Sequence, residues 1–307
     1  MLRRLLYKLK ERMHRDIYAM MEWQHATLLV QLGNIDKRIV TISSAAGYAT
    51  QTLNNIYSAV TNDTPKNKKA VVTVITGDYA DLRTPLYATP GWDYICFTDD
   101  PALRSNFWKV VYLDNEALKD LGCVRFDTPR YVCKFMRTMV HKLLPEYTET
   151  LSVDASFLII GNVEEYVNKF TGNADIMLVV HPYWDCIYEE AKKAIELATD
   201  DPEVITRQVK RYRNDGFPEH FGQIEGGRIY RKHTDSIRQL NEMWYKEITN
   251  GSNRDQMSFM YCCWKLGIHA DICTDKAESE YWRYDSPYWI YLHHKHLNPW
   301  EVTDSDA

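Results

Sequence analysis

The chain has 307 residues, enough for one large domain plus an appendage. With 45% hydrophobic and 26% charged residues it belongs with globular rather than disordered sequences. A net charge of −5 argues against a general nucleic-acid binder, and no nucleic-acid partner is expected.

In chain order, the first ten residues place Leu2, Leu5, Leu6 and Leu9 on one helical face and Arg3, Arg4, Lys8 and Lys10 mostly on the rest. A basic amphipathic start at residues 2–10 suits peripheral contact with an anionic membrane surface. A frayed basic helix start is the plainer alternative. Leu28, Leu32, Ile35, Ile39, Ile42, Ala46, Ala49, Leu53, Ile56 and Val60 then recur at alternating steps of four and three. That is the a/d seam of a coiled coil, and a narrow apolar stripe needs a partner to bury it. Residues 1–64 are therefore expected to form a long helical segment that makes a homo-oligomer. The alternative is a helix packed back on its own domain. Gly47, Thr50, Thr52, Asn54 and Asn55 weaken the helix locally.

A polar, Pro-containing linker at 61–69 separates this segment from the rest. Apolar, β-branched runs at 70–76, 94–98, 108–113, 150–153 and 176–180 read as buried strands. Helical patterns lie between several of them, one over residues 129–144 and another after the start signal Asp201-Pro202-Glu203. Alternation of this kind predicts an α/β domain with a mostly parallel sheet flanked by helices. Such sheets bind ligands beyond their strand C-termini, here at 76–79, 98–100 and 154–156.

The seven cysteines are odd in number, lack a CxxC and mostly sit in apolar runs such as Tyr94-Ile95-Cys96-Phe97. They read as reduced core thiols of a cytoplasmic protein, and a zinc site is not expected. No apolar run is long enough to span a bilayer, and no signal-peptide pattern follows the N-terminus. The expected location is cytoplasmic, with the inner membrane face as its variant. Nine Trp and twenty-one Tyr could furnish sugar-binding faces, although most aromatics in any chain are filler.

Several residue types in this pattern carry chemistry. Asp154 ends an apolar strand, where a carboxylate can reach a divalent metal or a ribose; such an Asp is also a common turn former. Thr76, Gly77 and Asp78 follow the first strand, and Gly77 would let the backbone approach a nucleotide. Asp99 follows the second strand. Arg130, Lys134 and Arg137 fall at i, i+4 and i+7, one helix face that could offset a diphosphate or simply be solvated. Asp255 and Gln256 open a helix, where Asp255 could also be only a cap. Glu225 precedes two glycines that would admit a substrate close to the backbone. His181 follows a strand as either a site residue or a satisfied core histidine. His294 and His296 could supply an imidazole ligand or be part of a charged tail.

The motifs Thr76-Gly77-Asp78-Tyr79, Gly91 through Asp100, Asp154-Ala155-Ser156, His181-Pro182, Phe217-Pro218-Glu219-His220-Phe221-Gly222, Glu225-Gly226-Gly227 and Arg254-Asp255-Gln256 together resemble a glycosyltransferase-like family long catalogued as a domain of unknown function. It has bacterial members, and plant members linked to cell-wall polysaccharides. The resemblance covers about residues 69–300 and implies a GT-A domain over 69–301. More distantly, residues 130–166 are similar to the metal-site region of family-eight retaining glycosyltransferases, which use nucleotide sugars and typically manganese.

That similarity implies Asp154 and His296 as metal ligands for Mn2+ or Mg2+. It implies a UDP-sugar-type donor held by Thr76, Gly77, Asp78, Asp99, Arg130, Lys134 and Ser156, and Asp255, Gln256 and Glu225 around the transferred sugar, with a glycan or polysaccharide acceptor. The chain departs from the Asp-x-Asp of those enzymes at Ser156, which supplies less charge to a metal. Two rivals follow from the same residues. One is a nucleotidyl- or phosphotransferase, against which the lack of a Walker-type loop weighs. The other is a catalytically inactive glycan-binding or scaffold protein of polysaccharide synthesis.

Overall fold

The computed structural model describes residues 67–292. The heptad segment, the basic start, His294 and His296 lie outside the described residues.

Nine strands are present among the described residues. β1 (Lys69–Ile75), β2 (Trp92–Thr98) and β4 (Glu149–Val153) are short runs rich in Val, Ile, Leu and Thr and are almost wholly buried. They are apolar on both faces because helices or loops cover both. With β3 (Lys109–Tyr112), β6 (Ile176–Val180), β7 (Ile224–Lys232) and β8 (Asp271–Cys273) they form a seven-stranded sheet of order β3-β2-β1-β4-β7-β6-β8. β7 is antiparallel to β4 and β6, and every other pairing is parallel. This is the mixed α/β, mostly parallel architecture that the alternating pattern predicts. β5 (Phe157–Ile159) and β9 (Trp289–Tyr291) make a separate antiparallel ribbon.

Pleating divides β1 between two cores. Val71 and Ile75 pack with Tyr94, Leu151, Phe157 and Trp289, whereas Ala70, Val72 and Val74 pack with Ile95, Phe97, Phe135 and Met136. A third cluster joins β6 and β7 to Trp244, Ile205 and Phe259 of the later helices. The chain leaves β1 toward β2 and β3 and returns to β1's other side as β4. The strand order therefore reverses between β1 and β4, where open α/β sheets form a ligand crevice.

Two local departures from a regular ladder shape that crevice. The helix expected over 129–144 is two pieces, Pro129–Thr138 and Val140–Leu143. The Thr138 hydroxyl donates to the Lys134 carbonyl at 2.6 Å, a side-chain bond that competes with the helix ladder, and Met139 leaves helical geometry at ψ 27°. The second departure is in β7, whose partner on β6 jumps from Ile229 opposite Leu178 to Glu225 opposite Val179. Residues 226–228 arch out of that pairing, and the Gly227 carbonyl accepts from the Asp154 backbone N–H at 2.7 Å.

All seven cysteines are unpaired thiols, six of them buried. No helix among the described residues is long and apolar enough to cross a membrane.

Three enclosed histidines make stability pH-dependent. Burial lowers His141, His181 and His233 from the ordinary 6.5 to about 4 each. The unfolded chain takes up these protons below about pH 6.5, whereas the native protein refuses them until about 4, so stability is lost as pH falls through that window. The slope cannot exceed about 1.4 kcal/mol per pH unit per histidine. Urea unfolding near pH 7 and near pH 5 is expected to show a clearly lower midpoint in the acid sample; coincident midpoints would contradict the burial of these rings.

Candidate active site

At the crevice, Asp154 follows β4 and its carboxylate is clasped. Oδ1 accepts from the Ser156 backbone N–H at 3.0 Å, the Ser156 hydroxyl at 2.8 Å and the Tyr79 hydroxyl at 3.2 Å. Oδ2 accepts from Arg137 Nη1 at 3.0 Å. The other arm of Arg137 donates to the Gly226 carbonyl. Burial would lower the Arg137 guanidinium's pKa, but Asp154 and then Asp255 carry it above the usual range.

One turn back on the same helix, Lys134 Nζ lies 2.8 Å from Asp255 Oδ2. Burial would raise Asp255, yet Lys134, then Arg137, draw its pKa down to about 2. Asp255 and Gln256 belong to a 3-10 turn, Asp255–Met257, and the α-helix starts after it at Phe259. Trp244 Nε1 holds this turn through the Asp255 carbonyl at 2.9 Å. Arg254 bonds the enclosed Glu190 at 3.0 and 2.6 Å and donates to Gln256 Oε1 at 3.2 Å, so the amide is aimed from behind.

The glycine arch completes the floor. A Cβ on Gly227 would lie 2.4 Å from Glu225 Oε1 and 2.6 Å from the Phe157 ring, so only glycine fits there. Glu225 accepts from the Gly227 N–H at 2.5 Å and from Arg228 Nη2 at 3.1 Å. Arg228 is fully enclosed and also bonds Glu278 at 3.3 Å. Glu225 is thus fixed at the crevice by a buried ion network.

The first loop meets the same crevice. Gly77 has φ +62°, and a Cβ there would strike Pro129 at 2.7 Å. Its N–H donates to Asp99 at 3.0 and 3.2 Å, and the Thr76 hydroxyl donates to the Pro129 carbonyl at 2.8 Å. Asp78 follows at φ +56° on the exposed side.

Asp154, Ser156, Lys134, Asp255, Gln256 and Glu225 therefore share one site with the loop of Thr76, Gly77, Asp78 and Asp99 at its edge. Arg130 is exposed and lines a neighbouring cavity of about 690 Å³ with Arg125, Asp200 and Arg207. Arg137 is the member of the basic face that grips Asp154. Helical spacing marked it, but spacing alone could not choose among the three. His181 proves to be a turn acceptor: Nδ1 takes the N–H groups of Tyr183 and Trp184 at 3.3 and 3.4 Å. Sequence reasoning quoted Tyr79 and Arg254 only inside motifs, without a role, and passed over Glu190; the Tyr79–Asp154 and Arg254–Glu190 contacts that define them join residues distant in sequence.

The donor set at Asp154 does not fit a divalent cation. Ser156 spends its hydroxyl as a donor to the acid it would have to assist, and Arg137 occupies the carboxylate's other oxygen. Among the described residues, the trio of metal-ligating groups that converges is Asp185, Glu189 and His220, all exposed, with Glu189 in the first turn of the helix Ile187–Glu196.

A family model described as TOD1/MUCI70, glycosyltransferase-like domain, matches residues 70–278. No curated protein sequence matches the chain significantly. Similar solved structures include mouse xyloside xylosyltransferase 1 in its apo form, at 11% identity and a TM-score of 0.39 over 67% of this chain and 84% of that one. The apo bifunctional glycosyltransferase WbbM matches at 10% and 0.41, over 71% and 40%. The mannosyltransferase Ktr4p from S. cerevisiae matches at 10% and 0.36, over 69% of each chain. Likeness at this level carries no inference about chemistry.

The Lys134–Asp255 pair gives a direct check of the site. Lys134→Met strands a buried carboxylate and is expected to cost about 3–5 kcal/mol in urea unfolding. Adding Asp255→Asn should recover much of that loss, because the stranded charge is gone. A single Lys134→Met within about 0.5 kcal/mol of wild type would show the pair to be solvated.

Proposed function

Because the chain belongs to the TOD1/MUCI70 glycosyltransferase-like family across residues 70–278, we propose that it moves a sugar from a nucleoside-diphosphate donor, of the UDP-sugar type, to a glycan or polysaccharide acceptor. The observation that carries this is the pairing of two cations on one helix with two carboxylates from separate loops, at the crevice where strand order reverses.

Transfer breaks the bond from the anomeric carbon to the diphosphate. Positive charge builds on the sugar and negative charge on the leaving phosphate. In this proposal the loop of Thr76, Gly77 and Asp78, with Asp99 behind it, receives the nucleotide, and Arg130 stands beside Pro129 at its outer edge. Asp255, ionised at any physiological pH, faces the developing oxocarbenium. The Gln256 amide, steadied by Arg254, lies against the anomeric carbon, and Glu225 takes a hydroxyl of the sugar or the acceptor. Retention of anomeric configuration is part of the proposal through the similarity to family-eight enzymes. The 1–64 segment would assemble copies of the chain, on the cytoplasmic side of the membrane.

Incubation of the purified chain with a panel of nucleotide sugars and glycan acceptors is expected to release nucleoside diphosphate. Gln256→Ala should lower kcat about 10- to 100-fold with little change in donor KM. Absence of turnover with every donor, alongside retained glycan binding, would favour the inactive scaffold instead. For assembly, sedimentation should give a larger species for the full chain than for one starting at Lys69. Two monomers would dispose of the coiled coil.

A further inference from the structure

The two carboxylates at the centre of the crevice are each already paired with a cation. Asp154 is neutralised by Arg137 and Asp255 by Lys134. Behind them sits Arg231, fully buried, with Nη1 on the Ser152 hydroxyl at 3.1 Å. Its Nε and Nη2 find no partner among the described residues. Burial, then the nearby Arg137, lower its pKa to about 9, which still leaves it protonated at neutral pH. Within this cluster three cations thus stand against two carboxylates, and both acids are already engaged. A divalent cation would have to displace a resident cation to reach either carboxylate, whereas a phosphate oxygen meets guanidinium and ammonium groups directly.

Ser156 adds to this. In the position where a second acid would serve a metal, it donates to Asp154 and presents no charge. A guanidinium, by contrast, offers a planar fork that matches phosphate oxygens.

We infer that the departing diphosphate is held by the guanidinium of Arg137, seconded by the Lys134 ammonium, and not by a divalent cation. This rests on the transferase proposal above. In the transfer, the bond between the anomeric carbon and the diphosphate oxygen breaks and its electron pair stays on the diphosphate. The acceptor oxygen bonds the anomeric carbon, and its proton passes to the departing diphosphate. Arg137 exchanges part of its hold on Asp154 for the phosphate, so it is a catalytic residue of the proposed reaction.

The full chain, stripped of metal by EDTA and desalted, is titrated calorimetrically with UDP and with GDP, with and without Mn2+. At least one nucleotide is expected to bind the stripped protein with a Kd within about threefold of the Mn2+ value. Arg137→Ala should weaken that binding at least about tenfold, and Arg137→Lys, which keeps the charge and guards against a folding defect, should restore part of it. Mn2+ alone should give no bound-ion electron paramagnetic resonance signal that Asp154→Asn removes. Binding that appears only with Mn2+, binding indifferent to Arg137, or no binding of either nucleotide to stripped protein overturns the inference. Turnover that requires Mn2+ would sink it while leaving the transferase standing. Arg137-dependent, metal-free binding without turnover of any donor would do the opposite.

Discussion

The helix Pro129–Thr138 holds the crevice together by placing Lys134 and Arg137 three residues apart on one face. Each grips a carboxylate that the chain delivers from elsewhere: Asp154 from the end of β4, Asp255 from a 3-10 turn about a hundred residues later. A buried charge without its partner is expensive, so each pair ties a connecting segment to the helix. The helix is in turn fixed by Phe135 and Met136 against β1 and β2. Chemistry and packing are therefore two faces of the same ten residues.

The arch at Gly226 and Gly227 is the complementary constraint. It lets Asp154 bond to the β7 backbone, brings the Gly226 carbonyl to Arg137, and leaves Glu225 turned back onto its own chain. Any side chain at Gly227 would have to occupy the space of Glu225 and Phe157. The ion network of Glu225, Arg228 and Glu278 then locks the arch from below. Preorganisation of this kind matters for group transfer because groups already in place cost no reorganisation when charge develops.

Much of this was legible in the residues. β1, β2, β4 and β6 announced themselves as apolar runs because they are covered on both sides. β7 did not, since it opens on Glu-Gly-Gly and carries Arg228 and Arg231, residues that ordinarily face solvent. β5, β8 and β9 have only three residues each, too few to show a period. Asp154 was visible as an acid at a strand end, and the basic face as a helical repeat. That Arg137 rather than Arg130 would meet Asp154 depends on how far along the helix the sheet rim falls, which no local pattern encodes. His181 was ambiguous for a similar reason: two backbone N–H groups in its own turn claim its ring nitrogen.

The antiparallel strand of the seven-stranded sheet, β7, also bears on how the chain must be made. β4 pairs with β1 as soon as it emerges, but its other edge is closed only by β7, with Val153 opposite Arg228. β6 pairs only with β7 and the still later β8, so a nascent polypeptide ending before Ile224 carries a four-stranded half-sheet open along β4 and an unpaired β6, each with a naked row of amide and carbonyl groups. Through that interval of synthesis these edges are open to pairing with neighbouring chains, and only β7, slotting between β4 and β6, closes both.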